Sequence, residues 1–296
     1  WPVRKEALIK MKDEPGCDFG KHIIPYCHAK GDRSFAYEYN GYWKDVGTLG
    51  SYWEANMELI DIIPEFNLYE EYWKIYTKSD IIPPQYVAAD AVIDRSIIGE
   101  GTEVHGTITN SVIGAGVTIE PGAEVHDSII MRDCHIKAGA KVNKAIVAED
   151  TTVGEGSELG VGEYAPSKYD PKVYQFDLVT IGEHSVIPDH VKIGKNTAIS
   201  GVTTPEDYTD GALASGDYII KAGGVLAGGN SKRMRELSNK RAISAMPVAG
   251  SYRSIDFALS NMSNSHIQNV AVFTQYNSRS LNEHLSSSKW WDFGRK

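Results

Sequence analysis

A diglycine bend followed by basic residues is the part of this sequence best suited to holding a phosphate. Residues 225–227 (Val-Leu-Ala) are typical of the end of a buried strand, and Gly228 and Gly229 open a loop after it. The amides of such a loop carry little steric cover, so a phosphate could approach them closely. Arg233, Arg235, Lys240 and Arg241 lie within the following dozen residues. A lone Gly-Gly pair more often marks a simple turn, so this signal depends on its basic neighbours.

The middle of the chain repeats in steps of six residues. Apolar, mostly β-branched residues follow this step at 113, 119 and 125, at 130, 136 and 142, at 147, 153 and 159, and again at 181, 187, 193 and 199. A period of six with glycines at the bends predicts short parallel strands that coil around a triangular prism and point their apolar residues at its axis. The triplets restart seventeen residues apart.

Composition excludes several classes of protein. The 296 residues include 30 basic and 39 acidic side chains, for a net charge of -9, which argues against a general nucleic-acid or anionic-membrane surface. Three cysteines without metal-ligand spacing favour free thiols in a reducing compartment. No apolar run is long enough to span a membrane. We therefore expect a cytoplasmic protein with no nucleic-acid or membrane partner.

Four segments follow from the changes in pattern. Mixed α/β sequence occupies 1–63, a Pro- and aromatic-rich linker occupies 64–86, the coil domain occupies 87–221 with its repeats ending near 202, and strand–loop–helix sequence occupies 222–296. A corner loop is expected at 160–180. Helices are predicted at 19–30, 48–62, 254–265 and from 280 to 285, and strands at 34–39, 225–227 and 270–273.

Several motifs resemble the ADP-glucose pyrophosphorylase (glucose-1-phosphate adenylyltransferase) family. The stretch Leu-Ala-Gly-Gly-Asn-Ser-Lys-Arg-Met at 226–234 resembles the opening of that family's catalytic domain, and Gly-Tyr-Trp-Lys-Asp-Val-Gly-Thr at 41–48 resembles its later part. The hexads resemble its C-terminal coil. The resemblance implies an α/β fold: a Rossmann-like nucleotidyltransferase domain, incomplete here, plus a left-handed parallel β-helix of hexapeptide repeats.

The order of these segments departs from the family pattern. Family members begin with the stretch matching 225–296 and end with the coil, and the middle of the catalytic domain has no counterpart here. The chain is either a permuted, shortened protein or a set of segments from a longer one joined in another order. A parallel sheet without its middle strands would have unpaired edges, which favours the second interpretation.

The resemblance implies a reaction between ATP and glucose 1-phosphate that gives ADP-glucose and pyrophosphate, with Mg²⁺ as cofactor. Asp45 matches a metal-binding aspartate and, with Arg233, the catalytic positions. Substrate-binding positions are matched by Asp18, Trp43, Gly228, Gly229 and Gln275. Each assignment has a structural alternative: Asp45 could cap a strand end, and Trp43 could be a core residue.

The resemblance also implies a regulatory anion site between the catalytic and coil domains. Arg241, Arg253 and His284 match its basic positions, and a phosphorylated allosteric effector would bind there. The alternative is a scattered, solvated basic face. Five coil histidines, at 105, 126, 135, 184 and 190, are expected to face solvent rather than to act as bases. The family further implies a homo- or hetero-tetramer.

Three functions remain open from the sequence. The first is ADP-glucose synthesis for glycogen formation under allosteric control. The second is a catalytically weak regulatory subunit of the same enzyme, which is favoured by Ser231 in place of a loop glycine and by Lys232 and Ile243 at other unusual positions. The third, a hexapeptide-repeat acyltransferase, leaves the 41–48 motif without a role.

Overall fold

We analysed a computed structural model that describes residues 18–33, 35–77, 81–220, 246–264 and 278–286. The chain divides into two compact units, Trp1–Trp43 and Lys44–Lys296. Within the described residues, none of the helices is long and apolar enough to cross a membrane. The predicted strands at 225–227 and 270–273 lie outside the described residues.

The first unit holds a short helical segment. A π-helical turn at Phe19–Ile23 continues into helix α1 (Ile24–Ala29), which confirms the helix predicted at 19–30. The strand predicted at 34–39 is wrong, because residues 35–40 form no strand and the aromatic side chains of Phe35, Tyr37 and Tyr39 are largely exposed. Alternating aromatics are stable in a strand only when a neighbouring strand pairs with them. No such neighbour exists among the described residues.

The second unit is built around a parallel β-helix with three sheets. The first sheet contains Tyr86–Val87, Glu103–Val104, Thr118–Ile119, His135–Ile136, Thr152–Val153 and Val186–Ile187. The second contains Val92–Asp94, Thr107–Thr109, Glu124–His126, Lys141–Asn143, Glu158–Val161, Lys192–Gly194 and Ala212–Leu213. The third contains Ile97–Ile98, Val112–Ile113, Ile129–Ile130, Ala145–Val147, Val179–Ile181, Ala198–Ser200 and Tyr218–Ile220.

The predicted six-residue step sets the core of this β-helix. Ile113, Ile130 and Val147 stack in register on successive coils and are fully buried, so the seventeen-residue spacing is confirmed. Each such side chain contributes about 1.5–3 kcal/mol through its burial. The coil continues past 202, where the sequence predicts its end. Leu213 and Ile219 still pack on the core after a 3₁₀ turn at Pro205–Asp207.

A ladder of serines closes one corner of the coils. The backbone N–H of Ser111 donates to Ser96 Oγ, that of Ser128 donates to Ser111 Oγ (3.1 Å each), and that of Ala145 donates to Ser128 Oγ at 3.0 Å. The residues that precede Ser111, Ser128 and Ala145 have positive φ values between 46° and 49°. The hydroxyls therefore satisfy backbone groups at the bends, where strand pairing is interrupted.

Only the third sheet has an apolar outer face. Its outward residues Val112, Ile129 and Ile146 are buried, whereas outward positions of the first sheet, such as Glu103 and Thr118, are polar and accessible. The third sheet is covered by one continuous apolar cluster. Its buried members are Leu49, Tyr52, Leu68, Ile129, Met131, Ile146, Ala148, Val173, Tyr174, Leu178, Ala198, Met246, Val248 and Ala249.

Helix α2 (Leu49–Glu58), a corner loop of the β-helix and the segment at 246–249 supply most of this cover. Helix α2 lies within the range predicted at 48–62 and begins with a Thr48–Ser51 capping box. Trp53 Nε1 donates to the carbonyl of Asp127 at 2.7 Å, which fixes α2 to a corner of the coils. The corner loop predicted at 160–180 is confirmed between the strands Glu158–Val161 and Val179–Ile181, and it also packs on this face.

A hairpin and two helices complete the described part of the second unit. Pro247–Val248 pairs antiparallel with Tyr252–Arg253, and α3 (Ser254–Asn264) follows directly. Helix α4 spans Ser278–Leu285. Both helices agree with the predictions for 254–265 and for a start near 280. The segment around Trp73 and Tyr76 crosses α3, where Trp73 Nε1 donates to Asn261 Oδ1 at 2.8 Å.

We predict that a charge on the third sheet will detach its cover. Ile129→Lys places an ammonium group in the buried cluster without a partner, and such burial should lower the free energy of unfolding by about 3 kcal/mol or more. Thr118→Lys, at an equivalent outward position of the first sheet, should change it by less than about 0.5 kcal/mol. Urea unfolding of both variants tests this; equal midpoints would contradict the apolar-cover interpretation.

Candidate functional site

A cleft of about 320 Å³ separates the β-helix from the hairpin and helix α4. One wall comes from bends of the coils and the other from residues 247–253 and 280–284. Its lining residues are Ile82, Glu100, Ala115, Arg132, Asp133, Glu149, Asp150, His184, Pro247, Gly250, Ser251, Arg253, Ser280, Glu283 and His284. Two of the three residues predicted for a regulatory site, Arg253 and His284, therefore line one cleft.

The coil wall is an aligned row of bends. Asp133, Asp150 and His184 have φ values of 56°, 59° and 55° and lie at the same corner of successive coils. Asp and Asn, and to a lesser degree His, tolerate this left-handed conformation better than other non-glycine residues. Each bend projects a polar side chain toward the cleft. Sequence reasoning missed Arg132, Asp133 and Asp150, since the equivalent corners of the two preceding coils carry Gly101 and Gly116 and no charged residue marks them.

The opposite wall is held by helix α2. Asn56 is buried and accepts a hydrogen bond from the backbone N–H of Ala249 at 3.0 Å, while its Nδ2 donates to the carbonyl of Tyr52 at 2.9 Å. The hydroxyl of Tyr52 donates to the carbonyl of Pro247. Ala249 and Gly250 then turn the chain with φ of 48° and 78°. The hairpin that carries Arg253 is thus fixed by side chains of α2.

His284 forms a buried side-chain pair with Asp256. Its Nε2 lies 2.5 Å from Asp256 Oδ1, and the two side chains are 3% and 0% exposed. Asp256 Oδ2 also accepts the backbone N–H of Arg253 at 2.8 Å. Asp256 lies in the first turn of α3, where a carboxylate is favoured by the helix dipole. The pair therefore ties α4 to the base of the hairpin.

The charges of the cleft are mixed. Carboxylates at positions 100, 133, 149, 150 and 283 outnumber the guanidinium groups of Arg132 and Arg253. Asp133 engages Arg132, with Nε and Oδ2 2.9 Å apart, and Asp150 Oδ2 lies 3.1 Å from His184 Nδ1. An anion entering the cleft must compete with these carboxylates for the cations. This arrangement differs from the purely basic face that the sequence alternative describes.

Asp45 lies at an exposed turn that leads into α2. Its Oδ1 accepts the backbone N–H of Gly47 at 3.0 Å. The adjacent Lys44 Nζ lies 2.7 Å from Glu58 Oε1 and 3.0 Å from Glu54 Oε2. These hydrogen bonds, that to Glu58 first, raise the pKa of Lys44. Asp45 does not line the cleft described above.

The described residues supply only part of a metal site. They contain no group of three or more His, Cys, Asp or Glu side chains that could hold an ion. Asp45 is exposed and its Oδ1 is engaged by Gly47, which leaves Oδ2 as a hard oxygen ligand of the kind Mg²⁺ prefers. The chemistry of the Asp45 carboxylate therefore fits one ligand of a divalent cation.

The first unit carries the two remaining described site residues. Asp18 caps the helical segment, its Oδ1 accepting the backbone N–H of Lys21 at 2.7 Å, and this hydrogen bond lowers the pKa of the carboxyl. Trp43 is 76% exposed, so it is not a core residue. Gly228, Gly229, Arg233, Arg241 and Gln275 lie outside the described residues, as do Ser231, Lys232 and Ile243. The predicted phosphate loop therefore stays a prediction.

The coil histidines occupy accessible positions, as predicted. His184 and His190 are exposed at bends, and His105, His126 and His135 are partly exposed. His135 Nε2 lies 2.5 Å from Glu120 Oε1. None of the five is enclosed as a catalytic base in an acyl-transfer site would be.

Two family models match the chain. One, described as "GlmU-like, C-terminal hexapeptide", covers residues 84–175. The other, described as "Nucleotidyl transferase", matches residues 5–62 and 222–293, on both sides of the β-helix. The chain thus combines nucleotidyltransferase sequence with a hexapeptide β-helix.

Similarity to curated relatives points to one kind of nucleotidyltransferase. The chain is similar to glucose-1-phosphate adenylyltransferases from Lachnospira eligens (66% identity), Acetivibrio thermocellus (40%) and Thermotoga neapolitana (48%). These matches cover 75%, 75% and 73% of this chain and 53%, 53% and 52% of the relatives. The chain spans about half the length of the curated relatives it matches. The two family models and these relatives fit the ADP-glucose pyrophosphorylase (glucose-1-phosphate adenylyltransferase) family.

We predict that His284 is needed for the stability of the second unit. His284→Leu would leave the Asp256 carboxylate buried without its partner, which typically costs about 3–5 kcal/mol of unfolding free energy. Arg279→Leu removes an exposed ion pair with Glu283 on the same helix and should cost less than about 0.5 kcal/mol. Chemical denaturation measures both; a His284 variant as stable as the Arg279 variant would show that the buried pair contributes nothing.

Proposed function

We propose that this chain functions in ADP-glucose synthesis as a glucose-1-phosphate adenylyltransferase for glycogen formation. The observation that carries the proposal is the 66% identity over 223 residues to an enzyme of that name. The proposal covers the whole protein's activity, with Mg²⁺ as the metal and ATP and glucose 1-phosphate as substrates. A cytoplasmic location and a homo- or hetero-tetramer are part of it. Free thiols such as Cys27 and Cys134 suit a reducing compartment.

The proposed chemistry is a displacement at phosphorus. A phosphate oxygen of glucose 1-phosphate attacks the α-phosphorus of ATP, the bond to the β-phosphate breaks, and pyrophosphate leaves. The protein's part is to orient the two anions and neutralise developing charge. We assign the ATP phosphates to Gly228, Gly229 and Arg233, and the base to Gln275. Asp18 and Trp43 are assigned to the sugar phosphate.

Asp45 is proposed to hold the cation in this reaction. A bound Mg²⁺ supplies charge stabilisation to the phosphates during transfer. The exposed position of Asp45 supports this role, and so does its hydrogen bond to Gly47, which among the described residues involves only Oδ1. The structural alternative, a turn-forming Asp, accounts for the contact with Gly47 but needs only Oδ1.

A regulatory subunit is the second candidate function. The specific observation in its favour is the run of departures at Ser231, Lys232 and Ile243. Ser231 replaces a loop glycine, and a side chain there crowds a phosphate or strains a positive φ. In this case the chain binds effectors or a partner subunit but turns over slowly alone.

One assay separates the two candidates. The purified chain is given ATP, glucose 1-phosphate and Mg²⁺, and pyrophosphate release is followed. It is then repeated in the presence of the Lachnospira eligens enzyme. Release by the chain alone supports the first candidate. If the chain alone releases no pyrophosphate but changes the rate or the effector response of the mixture, the second candidate is supported. If neither the chain alone nor its addition to the mixture changes pyrophosphate release, and acetyl-coenzyme A is consumed, an acyltransferase is supported instead.

We predict that Asp45→Asn separates activity from stability. The amide keeps an oxygen for the Gly47 N–H but loses the charge that a cation requires. The rate of pyrophosphate release should fall by about 100-fold or more, while the unfolding free energy changes by less than about 0.5 kcal/mol. Asp90→Asn, at an exposed position of the first coil, is the matched control and should keep the full rate. A fully active Asp45→Asn protein would remove Asp45 from the metal site.

We also propose that the cleft beside Arg253 and His284 receives a phosphorylated effector, together with Arg241. The guanidinium of Arg253 lines the cleft and would coordinate an anion bound there. Arg253 lies on the hairpin, and α2 holds that hairpin in place. The neighbouring carboxylates make this site weaker and more selective than a basic patch. Its occupant would need several phosphate oxygens to outcompete Asp133 for Arg132.

The effector proposal gives a binding prediction. Arg253→Gln should weaken the binding of fructose 1,6-bisphosphate about 10-fold or more, because one charge-assisted contact is worth roughly 1.5–3 kcal/mol. Lys192→Gln, which removes a cation on the second sheet, should leave binding unchanged. Isothermal titration provides the affinities. Equal affinity for the two variants and the parent would place the effector elsewhere.

A further inference from the structure

Lys44, the residue before the proposed metal ligand Asp45, binds helix α2 through its side chain. It precedes Asp45 in sequence, and its ammonium group lies between two carboxylates from successive turns of α2, Glu54 and Glu58. The Lys44 side chain is 25% exposed, less than either carboxylate. Two acceptors on one helix face define the position of the ammonium group better than a single pair would.

The turn that carries Asp45 is held by local hydrogen bonds as well as by Lys44. Within the turn, the Gly47 N–H donates to Asp45 Oδ1, and the capping box of Thr48 and Ser51 closes the downstream end. These bonds shape the turn within itself and at its downstream end. The upstream end is anchored to α2 through Lys44. The direction in which Asp45 points therefore depends on both anchors.

Helix α2 is itself a fixed reference. Tyr52 and Asn56 bind the backbone of the hairpin at Pro247 and Ala249. Trp53 binds the carbonyl of Asp127 on the β-helix, and the ammonium of Lys144 lies 5.1 Å above its ring. Any element that is anchored to α2 therefore has a fixed position relative to the β-helix and to the hairpin wall of the effector cleft.

We propose that Lys44 is a positioning residue: its fork with Glu54 and Glu58 holds the Asp45 turn on α2 so that the carboxylate is preorganised for a divalent cation. The assignment of the cation to Asp45 rests on the proposed function. Lys44 touches neither substrate nor metal in this role. Groups that orient a metal ligand commonly change metal affinity by about 10- to 100-fold when they are removed.

A plain surface ion pair is the competing explanation. Exposed pairs contribute little to stability, so a loss of stability would not distinguish the two. A positioning role instead predicts a local change at Gly47, whose amide hydrogen is bonded to Asp45, and a change in metal affinity. It also predicts rescue by Lys44→Arg, which keeps the charge and reaches both carboxylates.

The test uses the full chain and three variants, Lys44→Met, Lys44→Arg and Lys192→Met. Lys192 forms an ion pair with Glu158 at 3.3 Å on the second sheet, so it controls for the loss of one surface cation. Hydrogen exchange of the Gly47 amide is measured by NMR, and Mn²⁺ binding by electron paramagnetic resonance. Lys44→Met should speed Gly47 exchange and weaken Mn²⁺ binding, each by about 10-fold. Lys44→Arg and Lys192→Met should match the parent.

The pair Glu54→Gln and Glu58→Gln, made together, should reproduce the Lys44→Met effect and add nothing when combined with it. Unchanged Gly47 exchange and Mn²⁺ affinity in Lys44→Met would overturn the positioning role, as would an equal change in Lys192→Met. A parent chain that binds no Mn²⁺ would instead refute the metal assignment of the proposed function, while Gly47 exchange would still decide whether Lys44 holds the turn.

Discussion

The burial of the outer face of the third sheet is the interaction on which the rest of the second unit depends. A β-helix satisfies its own core through the inward residues of each coil, and it needs no cover on its other two faces because those are polar. The third face carries Val112, Ile129 and Ile146 outward, and these would be exposed to water without α2, the 162–178 loop and the hairpin. The hydrophobic effect thus selects which face the flanking segments occupy.

Polar contacts then turn this non-directional burial into a defined geometry. Asn56 and Tyr52 satisfy backbone groups of the hairpin, and Trp53 satisfies a carbonyl at a bend of the coils. Unpaired backbone groups at such a buried interface would be costly. As a result α2 can dock in only one register, and the hairpin with Arg253 follows it. The cleft exists because this register places the hairpin beside a bend, not flat on the sheet.

Much of the fold could be predicted because its periodicity is local. The six-residue step in Ile113, Ile119 and Val125 specifies inward positions without knowledge of distant residues. The apolar residue just before an inward one, as at Val112 and Ile129, marks the covered face, although a six-residue period alone does not reveal this. The strand at 34–39 failed for the opposite reason, since aromatic alternation requires a partner strand that the described residues lack. Arg132 and Asp133 were missed because a charged bend has no periodic signal of its own.

The cleft also shows why matching basic positions to a family motif describes a site incompletely. Arg253 and His284 lie in one cleft, yet His284 is committed to Asp256 at 3% exposure, and the nearest coil bends present carboxylates. A phosphate in this cleft would be attracted by Arg253 and repelled by the like charges of Glu100, Asp133 and Asp150. This mixture of charges disfavours the binding of simple anions. It disfavours less the binding of ligands that contact several hydrogen-bond donors at once or that carry a bound cation. In the proposed effector role, selectivity at this position would come from the carboxylates as much as from the arginine.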